Sequence, residues 1–404
     1  MSHRRRFTRL LLLGLLGAPA LLADTALRLT DVAAGEGDGL NGLDAAVLGD
    51  ALYFVGRPVA GTRALYRYDG VNPPTEVPGT VAQKPIDLVA WNGKLYFQGG
   101  VSSNREVWSY DPAGPTIELA VDVFPGGHGN SQRFAVVGSR LCFGANSAAN
   151  GFELFCWDGA GPAELFDLAP GVDGSFPNLL TAWGTKLVFT ALTDGQVRLW
   201  LYDGTNPPAE VLSDPGEFFN APYDLTPMAD ELYFAAGDAD FFDRIWRYDG
   251  LVAPTRVSTT FRPWGSPGVA RGRLMLTGED ATAGVDDPEL WRLVGDTFER
   301  AASGVLVGDE TGLIDGGGAI AFLGESAPGS NVRELHRYCG SGALAPTNAF
   351  TASGAEVRSE RVVPFAGQLV LSAADAAHGE ELWSVTPSVV LCDDFESGDA
   401  ASWP

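Results

Sequence analysis

Two apolar columns recur along this 404-residue chain in step with each other, and that periodicity limits the possible folds more than any other property of the sequence. The first column holds Leu52, Leu95, Leu141, Leu187, Leu232, Leu274, Ile320 and Leu369, each inside a short apolar run such as Lys94-Leu95-Tyr96-Phe97. The second holds Tyr66, Trp108, Phe155, Trp200, Trp246, Trp291, His336 and Trp383. Successive members of either column are 42 to 49 residues apart, and five of the ten Trp fall in the second. Two such columns of eight members each define an eightfold repeat.

Each unit reads as four short strands. In the second unit Ile86–Trp91 is an apolar strand that stops at Asn92-Gly93, a tight hairpin signal. Lys94–Gln98 returns, a polar loop at Gly99–Asn104 leads to Arg105–Tyr110, and Thr116–Val121 follows the turn at Asp111-Pro112. Most units mark that last turn with Asp-Gly: Asp69-Gly70, Asp158-Gly159, Asp203-Gly204 and Asp249-Gly250. With 51 Gly and 26 Pro, and nothing of helical period and useful length beyond the N-terminal segment, the chain is all-β.

Four-stranded units of this length are the mark of β-propellers, in which blades stack about an axis and bury aromatic columns between them. The sequence therefore predicts a single eight-bladed β-propeller of four-stranded antiparallel blades over 24–387. Leu27-Arg28-Leu29-Thr30-Asp31-Val32 looks like a fourth strand with no unit before it, and the eighth unit ends at Glu381-Leu382-Trp383 after its third strand. The N-terminal strand is expected to complete the last blade and close the ring, leaving no open edge.

Arg4, Arg5, Arg6 and Arg9 precede the apolar run Leu10–Ala23, which ends in small residues at Ala18-Pro19-Ala20 and Leu21-Leu22-Ala23. That run is too short for a membrane span, and the pattern predicts a signal peptide over 1–23 and an exported protein in the periplasm, at the cell surface or outside the cell. Arg4-Arg5-Arg6-Phe7-Thr8-Arg9 also resembles a twin-arginine signal, but His3 stands where that motif prefers Ser or Thr, so the general secretory route is expected. The net charge is −24 and becomes −28 once four arginines leave with 1–23, which opposes binding to nucleic acid. Solubility outside the cell accounts for the acidity. An even set of four cysteines in an exported chain suggests two disulfides, with Cys142 and Cys156 facing each other across one hairpin and Cys339 paired with Cys392; buried free thiols are the alternative.

No nucleophile elbow, phosphate-binding loop, zinc pair or Cys-x-x-Cys spacing is present. Among the histidines after 1–23, His336 occupies the aromatic column as packing, His128 lies in a Gly-rich loop and is expected to be exposed, and His378 stands alone. Glu36–Asp44 and Asp238–Asp243 offer oxygens at short spacing, but neither reproduces a calcium loop, and both read as exposed turns. One further column lies eight residues before each Leu of the first: Asp44, Asp87, Arg133, Leu179, Asp224, Ser266, Gly312 and Arg361. If first strands line the axis, these residues ring one channel mouth. Asp44, Asp87 and Asp224, with Arg133 and Arg361, would then bind a cation or polar ligand; alternatively each Asp caps the turn into its strand.

Glu289-Leu290-Trp291, Glu381-Leu382-Trp383, Arg198-Leu199-Trp200-Leu201-Tyr202-Asp203-Gly204-Thr205 and Arg244-Ile245-Trp246-Arg247-Tyr248-Asp249-Gly250 resemble the repeat of the bacterial ELWxxDGT-repeat proteins. The segment that precedes the repeat in that family resembles Asp122-Val123-Phe124-Pro125-Gly126 and Asp167-Leu168-Ala169-Pro170-Gly171. Val294-Gly295 and Cys339-Gly340 depart from it in the later units. The resemblance implies an exported or surface propeller and no agreed activity. The acidic tail over 388–404 reads equally as a sorting signal or a solvated ending. With no catalytic set, cofactor or metal, the sequence predicts a monomeric non-catalytic module that binds an unknown protein or glycan. A carbohydrate-active hydrolase or lyase, with acids converging from different blades, is the alternative.

Overall fold

The computed structural model describes residues 24–386 apart from 36, 102–103, 215–217, 271, 281–288, 303–312, 316–319, 326–331, 339–344, 348 and 359–360. The predicted signal peptide, the acidic tail, Cys339, Cys392 and Gly312 lie outside the described residues.

The protein is an all-β propeller of four-stranded antiparallel blades. The second blade shows the pattern, with strands Ile86–Trp91, Lys94–Val101, Asn104–Asp111 and Thr116–Val121 paired in sequence order. Among the described residues the strands form eight such sheets, with five strands in the sixth and in the last. The first strands of consecutive sheets run against one another, which puts them nearest the axis. Thr25–Arg28 pairs antiparallel with Gly379–Thr386 in the last sheet, Thr25 opposite Thr386 and Arg28 opposite Trp383.

Alternation explains the packing. Each second strand is buried on both faces, as in Ala51–Gly56 and Lys94–Val101, because a neighbouring sheet covers each side. Every buried cluster consequently joins two successive sheets. Tyr53, Leu65 and Val77 meet Leu95, Phe97 and Tyr110, while Val363, Phe365 and Val370 of the last sheet meet Leu43, Phe54 and Tyr68 of the first. In the aromatic column Trp246 is wholly buried, and His336 is 2% exposed and stacked on Phe322 at 5.3 Å.

Cys142 and Cys156 are cross-strand partners and form the expected disulfide. The Asp-Gly turns are Asx-capped: Asp69 accepts from the backbone N–H of Val71 and Asn72, and Asp203 from those of Thr205 and Asn206. Four details differ from expectation. Of the loop expected over Gly99–Asn104 in the second blade, Gly99, Gly100 and Val101 instead continue the ladder, opposite Glu106, Arg105 and Asn104. A Cβ on Gly99 would meet the Trp108 ring at 2.8 Å, so the strand persists only without a side chain there. In the sixth sheet Phe261–Pro263 and Gly268–Ala270 both pair with Arg273–Asp280; Pro263 and Pro267 bound the interruption and donate no backbone N–H. His128 is half-buried rather than exposed. Short helical turns occur at Thr80–Ala82 and Ala349–Ala352. No helix among the described residues is long and apolar enough to cross a membrane.

Candidate functional site

The inner column resolves into a relay from sheet to sheet. Asp87, Arg133, Leu179 and Asp224 all have positive φ, between 52° and 62°, in first strands whose register slips at that point. Each is a β-bulge, which bends the inner strand and leaves a backbone N–H unpaired within its own sheet. For Asp87 and Arg133 the preceding sheet supplies the acceptor, whereas the Leu179 N–H turns to the Asn178 side chain of its own strand at 2.9 Å. Asp44 accepts from the N–H groups of Asp87 at 2.6 Å and Leu88 at 2.9 Å, and Asp87 accepts from the N–H of Arg133. Arg133 in turn donates to the carbonyl of Pro177 at 3.0 Å, and Asp224 accepts from the Ser266 hydroxyl at 2.9 Å.

Asp44 and Asp87 therefore do not cap the turns into their own strands as the alternative expected; they accept from backbone N–H groups of the next sheet, and Asp224 bonds a side-chain hydroxyl instead. Among the sequence-predicted ring residues, Asp44, Asp87 and Arg133 are brought together. Asp224 and Ser266 form a separate pair, Leu179 is 39% exposed, and Arg361 is exposed yet close enough to Asp44 to act on its charge.

Burial dominates the electrostatics of these acids. It pushes the carboxyls of Asp44 and Asp224 up from their ordinary value, and raises Asp87 to about 6, with the Asp44 charge adding to the shift and the Arg133 contacts opposing it.

A second device, which the sequence reading missed, sits two residues before the aromatic column. Glu106 accepts from the N–H of Val123 at 2.9 Å and of Gly129 at 2.8 Å. Glu153 accepts from those of Leu168 and Ala169 and from the Ser175 hydroxyl, and Glu381 accepts from those of Val32 and Ala33 and from the Thr30 hydroxyl. These glutamates are buried, and each pins the loop that leads into a first strand. The signal was their constant offset from the aromatic column. At the equivalent position of the fifth sheet Arg244 takes over, paired with Asp238 at 3.2 Å. Asp238 also accepts from Asp240 and Phe242 N–H and is 4% exposed, so it anchors a turn whose remaining residues, 239–243, are exposed as expected. No group able to hold a metal ion occurs among the described residues.

On the opposite face a cleft of about 370 Å³ lies between the fourth and fifth sheets, lined by Trp183, Lys186, Asp230, Asp249 and Leu251. The Lys186 ammonium sits 4.8 Å from the Trp183 ring centre and fills part of the space over the indole.

The buried acids make stability depend on pH in a stated direction. Burial raises Glu106, Glu153 and Glu381 as it does the inner aspartates. A folded chain with raised carboxyls binds more protons than the unfolded chain, so stability falls as pH rises through the window, for Asp87 from 3.8 to about 6. The turn residues Asp69, Asp111, Asp203 and Asp249 are held low by backbone or side-chain hydrogen bonds, and their contribution is lost only as pH falls below the ordinary carboxylate range. Calorimetric melting temperature is therefore expected to peak at about pH 4, where the turn aspartates are still ionised and the buried acids still protonated, and to decline toward about pH 6. Asp87→Asn should flatten the decline above the peak; an unchanged profile in that variant would refute the assignment.

No protein-family model and no curated protein matches the chain. Solved structures do resemble it. A prolyl endopeptidase structure aligns at 8% identity and TM-score 0.51 over 83% of this chain and 55% of that one, so the chain spans about half of that enzyme's length. An oligogalacturonate lyase from Vibrio parahaemolyticus aligns at 13% identity and TM-score 0.48, covering 77% of this chain and 92% of that one. The β-propeller domain of the Trilobed protease from Pyrococcus furiosus aligns at 11% identity and TM-score 0.46, covering 76% and 97%. At these identities the likeness speaks for the propeller fold alone.

Proposed function

We propose that the chain is an exported eight-bladed propeller, closed by its N-terminal strand, that acts as a rigid binding module through the face carrying the inner column. The eight sheets, the pairing of Thr25–Arg28 with Gly379–Thr386 and the packing of the last sheet on the first support the closed ring. The N-terminal sequence supports export, and the recurring Glu-Leu-Trp segments support kinship with the ELWxxDGT-repeat proteins. For a binding role the observation that counts is the engagement of Asp44 and Asp87 by backbone N–H groups of the next sheet, which commits their oxygens to structure. A glycan array combined with affinity capture on the purified protein tests it. A defined ligand whose binding survives without turnover supports the module, and sustained catalysis lost in Asp87→Asn overturns it.

A carbohydrate-active hydrolase or lyase is the second reading, and the raised Asp87 is what favours it. A carboxyl titrating at about 6 beside a second acid is suited to general acid work. The prolyl endopeptidase and oligogalacturonate lyase likenesses keep a catalytic role in view without locating one. Product release from oligosaccharide mixtures, compared between wild type and Asp87→Asn, separates the two.

A further inference from the structure

The arginines on the inner-column face point to a ligand of defined charge. Arg63 immediately precedes the third strand Ala64–Tyr68 of the first sheet, and Arg105 opens the third strand Asn104–Asp111 of the second. Antiparallel order places both at the same end of the propeller as Asp44 and Asp87, which stand at the starts of the first strands. Arg63 is close enough to act electrostatically on both Asp44 and Arg105. Both arginines are half-buried, and neither is ion-paired with a carboxylate among the described residues.

Arg105 donates instead to the neutral Gln98 amide at 2.7 Å, and that amide is braced by the Ser131 carbonyl at 2.9 Å. The brace holds one edge of the guanidinium and leaves its other donors free of a protein carboxylate. Two like charges held half out of water beside each other repel unless an anion joins them. The Asp44 and Asp87 carboxylates are turned to backbone N–H groups rather than to these guanidinium groups. The chain carries 51 acidic residues against 27 basic ones, so a basic pair without a direct carboxylate partner runs against the charge of the molecule as a whole.

We propose that Arg63 and Arg105, flanked by Arg133 and Arg361 of the inner column, form a recognition site for a ligand bearing a carboxylate, sulfate or phosphate group. Guanidinium forks match such oxyanions with paired hydrogen bonds. This rests on the binding reading above and specifies the ligand that the face takes.

Calorimetric titration of the purified protein at low salt with D-glucuronate, inorganic sulfate and inorganic phosphate, and with D-glucose as the neutral control, tests it. At least one anion is expected to bind, with affinity roughly ten-fold lower in Arg63→Gln and in Arg105→Gln and unchanged in Lys186→Ala on the opposite face. Binding of glucuronate alone identifies a sugar acid as the source of the anion, and binding of sulfate or phosphate identifies an ester or free oxyanion. Melting temperatures of the variants report whether they remain folded, and either variant suffices. No binding of any anion, binding indifferent to both substitutions, or glucose bound as well as glucuronate overturns the proposal. In the last case the propeller remains a glycan binder and only the charge assignment fails.

Discussion

Glu381→Ala is expected to destabilise the protein by roughly 3–5 kcal/mol, because it strands several buried donors at once. The Glu381 carboxylate is fully buried and accepts from the Thr30 hydroxyl at 2.6 Å and the Val32 N–H at 3.0 Å. The Ala33 N–H adds a longer bond at 3.3 Å, and the Thr30 hydroxyl oxygen in turn accepts from the Leu382 N–H at 2.9 Å. Alanine removes the acceptor for the Thr30 hydroxyl and the Val32 and Ala33 N–H groups and leaves a cavity against Gly39, where a Cβ would now lie 2.1 Å from the Glu381 Oε1. Glu381→Gln keeps an accepting oxygen but turns an amide toward backbone donors, so a smaller loss is expected. Denaturant unfolding followed by two probes measures both variants. A loss below about 1 kcal/mol for the alanine variant would mean that the segment over 29–33 holds its place without the carboxylate.

Trp246→Ala is expected to cost about 3–5 kcal/mol, the range for removing a large aromatic from a packed interior. Trp246 is fully buried between the fourth and fifth sheets, its ring 5.6 Å from that of Phe219 and its indole N–H bonded to the Ala236 carbonyl at 3.3 Å. Trp246→Phe keeps most of the contact and should lose less. The melting temperature and the near-ultraviolet dichroism should fall together in Trp246→Ala. Dichroism lost with an unchanged melting temperature would place the indole outside the cooperative core.

The propeller of four-stranded antiparallel blades, the strand order and the disulfide register were legible in the residues because they depend on period. The positions of Leu95 and Trp108 have a counterpart in every unit, and the hairpin that brings Cys142 opposite Cys156 follows from spacing alone. The inner column was legible as a column but not in what it does. The Asp44 carboxylate bonds a backbone N–H 43 residues away, and backbone donors leave no trace in side-chain identity. The bulge at Asp87 was hidden for a related reason, since a positive φ at aspartate is tolerated in many turns. Glu106 and Glu153 were within reach, their offset from the aromatic column being constant, but charged residues are ordinarily solvated and a buried role needs the loop geometry to appear. Arg63 and Arg105 stand three residues before the aromatic column in consecutive units, as Arg333 does before His336, but Phe152, Val197, Asp243, Pro288 and Glu380 fill that position elsewhere, so periodicity did not single the pair out.

The relay of carboxylates also gives the second sheet a leading and a trailing edge. One side offers an acceptor in Asp87 and the other waits for the one that Asp44 supplies, so that sheet excised alone would carry an unmet demand on both flanks. Growth of such a molecule by duplication is thereby polarised: a new copy fits only when inserted in phase and facing the same way as its neighbours.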